Sequence, residues 1–338
     1  MLTSQSIREF MPPRLTIAIP TLNRATLLGR AINSALAQTS SDIEIIVSDN
    51  ASTDETASVL RPYEARGVRI FRQPETIPAS RNGEFLMREA RGEFFVGLSD
   101  DDYLEPEFAA KVLALYDRHP ELSFVYTGCA VHYDDVEVPA VVGPEVESGA
   151  DFLLAHYEDQ REVSWCACVT RVRDLRRLGP QPDERILGDM FFWTKMAFLG
   201  PVGCVPEVVS HYILFRTQND NISHGTSPLE WTRESQNLAD EVMEGSRKAG
   251  ASAAYLARLR RASWQHVARS AANQFVWTRI RGASVGEAWG WSFGCLPYIG
   301  WNLRALSRLG AGLLLPRGVL RSALLQGAEK QRQSRKLP

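Results

Sequence analysis

Over the first 130 residues, short strands that are apolar along nearly their whole length alternate with amphipathic helical segments, and this limits the chain to few folds. Residues 15–20 (LTIAIP), 43–48 (IEIIVS), 68–71 and 94–98 (FFVGL) form the strand runs. Between them, Leu27, Leu28, Ala31, Ile32 and Ala35 recur at helical spacing within 25–38, a second helix follows the capping candidates Ser52 and Asp54, and a third spans 78–90 before Gly92. Pro106 opens a helix that runs to His119, as proline does at a first helical position. A strand apolar on both faces must be covered on both, which is the situation of a parallel sheet. Strand–helix alternation supplies that cover and predicts a doubly wound α/β sheet. Ligands of such sheets sit beyond the carboxyl ends of the strands. The polar clusters fall at those ends: Thr21-Leu22-Asn23-Arg24, Asp49-Asn50, and Ser99 to Asp102.

Asp100-Asp101-Asp102 carries the most chemistry. Three adjacent carboxylates repel one another, more strongly in a low-dielectric cleft. A bound cation relieves that repulsion, and oxygen donors suit Mg2+ or Mn2+, which take one or two carboxylates and complete their shell with phosphate oxygens. The competing explanation is a set of acids favoured by the dipole of the helix opened at Pro106.

Taken together, Ile19-Pro20-Thr21-Leu22-Asn23-Arg24, then 47–54 (VSDNASTD), Arg81-Asn82, and Ser99-Asp100-Asp101-Asp102 with Pro106 four residues on, resemble family 2 glycosyltransferases with the GT-A fold. The resemblance covers about residues 14–220 and implies an inverting transferase using a nucleotide-diphosphate sugar, a UDP-sugar before other donors. It implies that Pro20, Thr21, Asn23 and Arg24 line the nucleotide site, with Asn50 beside them and Asp49 hydrogen-bonding the base. Arg81 would approach the ribose or diphosphate and Asp100 the ribose. Asp101 matches the metal-binding acid of the family's Asp-x-Asp element, with Asp102 as a second ligand or a sugar contact. Ser99 stands where many members have the first Asp.

Residues 188–197 (GDMFFWTKMA) are similar to the family segment in which an Asp opening a helix is the catalytic base. Asp189 is that residue, with Trp193, Lys195 and Ala197 also matching. A carboxylate is needed there to take the acceptor hydroxyl's proton as the new bond forms. As a plain N-cap, Asp189 would have the same position. Arg216 resembles a diphosphate contact in the segment that closes over the donor, and His211 or His224 a third metal ligand.

The middle of the chain is less regular: a strand over 164–170, helices over 171–178 and 189–199, a strand over 208–215, and a charged helical pattern from 229 to 269. These readings divide the chain into an extension (1–13), a GT-A domain (14–225) and a basic helical region (226–338). The net charge of −2 conceals an asymmetry. From Trp277 onward, ten Lys or Arg face Glu287 and Glu329, giving +8 against about −10 for the remainder. Arg304, Arg308, Arg317 and Arg321 interleave with Leu303, Leu306, Leu313 and Leu314, downstream of Trp289, Trp291 and Trp301. That pattern predicts cationic amphipathic helices on an anionic membrane surface, or helices packed on the domain with solvated arginines.

The five cysteines lack framework spacing and read as buried reduced thiols. Residues 1–13 carry no leader pattern, and no apolar run is long enough to span a bilayer. The expected location is therefore cytoplasmic, at the inner face of the membrane, with a lipid-linked or surface glycan as acceptor. Nucleic acid is disfavoured by the acidic remainder. A nucleotidyltransferase would carry a glycine-rich loop where Pro20-Thr21-Leu22-Asn23 stands, and a dinucleotide-binding domain would show Gly-x-Gly-x-x-Gly. A catalytically inactive GT-A-like scaffold is the remaining alternative, and the carboxylate at Asp189 argues against it.

Overall fold

The computed structural model describes residues 12–133, 136–179, 187–214 and 226–334. Arg216, His224 and the first 11 residues lie outside the described residues. In chain order the elements are β1 (Leu15–Thr21), α1 (Ala25–Leu36), β2 (Ile43–Asp49), α2 (Thr56–Glu64), β3 (Arg69–Arg72), α3 (Ala79–Glu89), β4 (Phe94–Gly97), β5 (Tyr103–Leu104) and α4 (Phe108–Arg118). There follow β6 (Phe124–Tyr133), β7 (Val136–Pro139), β8 (Val146–Glu147), α5 (Gly149–Tyr157), β9 (Cys168–Arg171), α6 (Val172–Leu178), α7 (Gly188–Ala197) and β10 (Val202–Leu214). The C-terminal helices are α8 (Pro228–Lys248), α9 (Ala253–Arg281), α10 (Val285–Ile299), α11 (Leu303–Leu314) and α12 (Arg317–Ser334).

One sheet runs β3-β2-β1-β4-β9-β6-β10-β5, with β7 added to β6 and β8 to β10. β1 pairs in parallel with β2 and β4, and β6 pairs in parallel with β10. β9 lies antiparallel between β4 and β6. The carboxyl ends of β1, β2, β4, β6 and β10 therefore open on one edge.

Alternate residues of the central strands enter different cores. Ile17, Ile19, Val47 and Val96 pack with Leu28 and Ile32 of α1 and Val112 and Tyr116 of α4. Ala18, Ile46 and Phe95 pack with Leu86 of α3, Phe152 of α5, Trp193 of α7 and Val242 of α8. Both sheet faces are covered, which is why these strands are apolar throughout. Each fully buried large side chain contributes about 1.5–3 kcal/mol of transfer free energy.

Three regions depart from the sequence expectation, one being β10, which begins at Val202 rather than at 208. Residues 164–167 are not strand: Trp165–Ala167 form a 3-10 turn, and strand begins only at Cys168. The Trp165 indole occupies the space where a side chain at Gly97 would be, so the chain lifts off the sheet there. The helical pattern of 229–269 is two helices, broken at Gly250 (φ +78°) and restarted where Ser252 Oγ accepts the Tyr255 N–H at 3.2 Å. The C-terminal helices share a third core of small residues around Phe275 and Ile299. Helix α9 is fastened to α5 and the turn after it by Arg258–Glu158 contacts at 2.7 Å and Tyr255 Oη donating to Ala150 O at 2.7 Å. All five cysteines are free and buried.

Candidate active site

The loops after β1 and β2 interlock. Asn23 adopts φ +55°, a conformation asparagine tolerates better than most residues. Its N–H donates to Ser52 Oγ at 2.8 Å, and its Oδ1 accepts the Thr53 N–H at 2.8 Å. The Arg24 N–H reaches Thr56 Oγ1 at 3.3 Å, and the Ala25 N–H reaches Asp54 Oδ2 at 3.2 Å. Asp54 also accepts the Thr56 N–H at 3.0 Å, so this carboxylate serves the starts of both α1 and α2.

Asp49 ends β2 fully buried. One of its oxygens accepts the Ser52 N–H at 2.9 Å and the other accepts Arg72 Nη1 at 2.7 Å, while Arg72 Nη2 holds Ser52 O at 2.8 Å. Asn50 makes a two-way amide contact with Ile77, donating from Nδ2 at 2.8 Å and accepting at Oδ1 at 3.0 Å. It thereby anchors the segment leading to α3. Beneath it, Ser48 Oγ donates to Asn82 Oδ1 at 2.6 Å and accepts from Gln73 Nε2 at 3.0 Å. This buried trio seats α3, whose Arg81 is half-exposed and donates to Glu84 at 3.0 Å. Asn82 belongs to the Arg81-Asn82 pair singled out in the sequence, whereas nothing local marks Arg72 or Gln73 as members of this network, because their partners lie on β2 and the residues after it.

The three aspartates diverge. Asp100 is buried against the end of β1, and burial lifts its pKa to about 6, against the opposing pull of the Thr21 hydroxyl, the Leu22 amide and Arg24. Burial also raises Asp101, countered by Arg24, whose Nη1 stands 3.9 Å from Oδ2, and by Arg30. Arg30 in addition donates to the Asp101 carbonyl. Asp102 turns toward β10, where its Oδ1 accepts the Ile213 N–H at 2.8 Å; burial pushes its pKa well up. Asp100 and Asp101 fit a divalent cation on physical grounds: they are two carboxylates on one turn, both destabilised as anions by burial, with the Arg24 guanidinium 3.9 Å from Asp101.

Asp189 lies in the first turn of α7, partly buried, with Oδ1 accepting the Met190 N–H at 2.8 Å. Burial raises its pKa, and the Met190 amide opposes the shift. Its charge acts on the Cys168 thiol of β9, so the two are neighbours. The pairing Val96↔Val169 sets Cys168 level with Gly97, two residues before Ser99. Asp189 therefore lies near the start of β9, at the end of the sheet where β4 leads into the acidic turn. Below it, Trp193 is buried edge-on to Phe152 and His156, and Lys195 is paired to Glu241 of α8 at 2.8 Å. The His211 ring is held by Glu105 and His132, each at 2.9 Å.

Comparison with known proteins agrees with this architecture. Residues 16–147 match the family described as glycosyl transferase family 2. A GalNAc(5)-diNAcBac-PP-undecaprenol beta-1,3-glucosyltransferase of Campylobacter jejuni is 39% identical over 157 residues, which is 44% of this chain and 50% of that protein. The chain spans half or less of the length of the curated relatives it matches. Among solved structures, S. aureus TarS 1–349 in complex with UDP-GlcNAc superposes with a TM-score of 0.64 at 15% identity, covering 94% of this chain and 89% of that one. The mannosyltransferase PcManGT of Pyrobaculum calidifontis, in complex with GDP-Man and Mn2+, gives 0.54 at 18% identity, covering 93% and 87%. The interlocked loops, the acidic turn and the family match coincide: residues 16–147, which carry the turns after β1, β2 and β4, are similar to glycosyl transferase family 2, on a sheet of the GT-A type.

Proposed function

We propose that this protein transfers a sugar from a nucleotide-diphosphate donor to a hydroxyl of a lipid-linked or surface glycan, with inversion at the anomeric carbon. The observation that carries this reading is the placement of two kinds of carboxylate at one sheet edge: Asp100 and Asp101 on the turn after β4, and Asp189 at the head of α7. Pro20, Thr21, Asn23, Arg24, Asp49 and Asn50 form the nucleotide side of the cleft, Arg81 approaches its ribose or diphosphate, and Asp100 meets the ribose. Asp101 would hold a Mg2+ or Mn2+ ion, with Asp100 as the neighbouring carboxylate, while Asp102, the second ligand implied by the sequence, is turned to Ile213 of β10. When bound, the cation offsets the negative charge that develops on the diphosphate as it leaves. Asp189 removes the proton of the acceptor hydroxyl as that oxygen attacks. Its raised pKa makes it a stronger base than an ordinary aspartate.

The Campylobacter relative's name includes an undecaprenol-linked substrate, and TarS was solved with UDP-GlcNAc. The first favours a lipid-linked acceptor here and the second a UDP-sugar. The C-terminal helices favour contact with an anionic membrane. Trp301 is 91% exposed, Leu314 80%, Leu303 78% and Phe293 65%, among the exposed Arg304, Arg308, Arg317 and Arg321. No helix among the described residues is long and apolar enough to cross a membrane, so this contact would be peripheral.

A thermal-shift screen of nucleotide sugars with and without Mn2+ tests the donor assignment. Binding to the folded state raises Tm by mass action. One nucleotide sugar is expected to do so in a Mn2+-dependent manner, and a flat response to every donor would overturn the reading.

A further inference from the structure

We propose that His132, Glu137 and His211 form a second divalent-metal site, suited to Zn2+ and separate in its ligands from Asp100 and Asp101. The three residues stand on adjacent strands. His132 of β6 is the direct antiparallel partner of Glu137 of β7, and His211 of β10 pairs with Ala130, two residues before His132 on the same face. One ligand atom from each lies within 4.8 Å of the other two. Direct cross-strand neighbours keep their Cβ atoms about 5 Å apart, so the backbone already holds this convergence.

The surroundings of His211 are those of an oriented metal ligand. Its Nε2 is 2.9 Å from Glu105 Oε1, and its Nδ1 is 2.9 Å from His132 Nε2. A carboxylate accepting the proton on one ring nitrogen leaves the other nitrogen's lone pair available, the arrangement found behind metal-bound histidines. The ring is fixed in its plane by Tyr103, stacked at 4.1 Å and 7°. The guanidinium of Arg30 also lies over the Tyr103 ring, 5.2 Å from its centroid. Glu105, Glu137 and Arg30 sum to one net negative charge (−2 + 1), which a divalent cation complements.

Two imidazoles and a carboxylate select a first-row transition metal over Mg2+, which prefers an all-oxygen shell. Zinc takes nitrogen and oxygen ligands at about 2.0–2.2 Å, which sets neighbouring ligand atoms about 3.3 Å apart in a tetrahedron. The 2.9 Å separation of the two imidazole nitrogens needs only a small opening to reach that value. Glu137 is exposed and free to swing inward. Three protein ligands leave a fourth position for water or another ligand. Because Tyr103 follows the acidic turn directly, a cation here would also brace β5 against β10.

The test is calorimetric titration of the full chain, stripped with chelator and dialysed, with Zn2+ in excess Mg2+. One equivalent should bind to the wild type. His132→Ala and Glu137→Gln should each weaken that binding at least tenfold with unchanged circular dichroism, and Asp101→Ala should leave it intact. Co2+ in place of Zn2+ should give a visible d–d band that His132→Ala abolishes. A wild-type chain that binds no Zn2+, or an affinity unmoved by both substitutions, would overturn the proposal.

Discussion

The Asp102 carboxylate accepts the backbone N–H of Ile213 at 2.8 Å, tying the acidic turn to β10 across 111 positions of sequence. The aspartate triplet is thus three parts: one turned to β1, one to Arg24 and one to β10. Asp102→Ala leaves a buried amide without its acceptor and should cost about 1–3 kcal/mol in urea unfolding. Asp102→Asn keeps an acceptor oxygen and should recover most of that loss. Equal destabilisation by the two variants would count against the tie.

His156 supports the helix that carries Asp189. Its ring packs edge-on against Trp193 at 4.5 Å, and burial drives its pKa down to about 3. Below pH 6.5 the unfolded chain takes up a proton there that the folded chain refuses. The stabilisation is therefore complete above pH 6.5 and lost as pH falls toward 3. Between pH 7 and pH 5 this group alone should lower unfolding free energy by about 2 kcal/mol. His156→Phe should flatten the pH dependence by that amount; the same slope in both proteins would contradict the assignment.

Gly97 is required by Trp165. The indole occupies the position of any side chain at Gly97, in the strand that leads into the acidic turn. Gly97→Ala should destabilise the fold by about 1–3 kcal/mol through overpacking, measured by denaturant midpoint. Pairing it with Trp165→Leu should restore part of the loss.

For the C-terminal helices, Arg304→Glu combined with Arg308→Glu should reduce co-sedimentation with anionic vesicles at least tenfold, since each basic residue near such a surface contributes about 1 kcal/mol. Trp301→Ser with Leu303→Ser should weaken binding to neutral vesicles as well. Unchanged sedimentation of both variants would leave these helices as packing elements alone.

How much of this could be read from the chain depended on how local each determinant is. Strands β1, β2 and β4 and helices α1 and α3 were legible because burial on both faces writes itself into contiguous residues. The antiparallel insertion of β9, the extent of β6 and the hairpin to β7 were not, since strand pairing is decided by partners far away in sequence. The same holds within the cleft. Asp49 and Asp101 stand at recognisable strand ends, whereas Arg72, Gln73 and Arg30 acquire their roles only through contacts with β2, α3 or the acidic turn. Glycine and tryptophan composition gave no hint of the Gly97–Trp165 contact, which turned an expected strand over 164–167 into a turn.

The central claim rests on Asp189 as the base. Burial raises its pKa, so its ionised form, and hence the rate, should fall away on the acid side at a pH above the usual aspartate range. The most direct measurement is the transfer rate of Asp189→Asn, with the donor found by thermal shift and its affinity checked in the same protein. The account predicts a fall of at least a thousandfold in kcat, with folding and donor affinity retained, since base and positioning effects are lost together. Transfer at the wild-type rate by Asp189→Asn would contradict it.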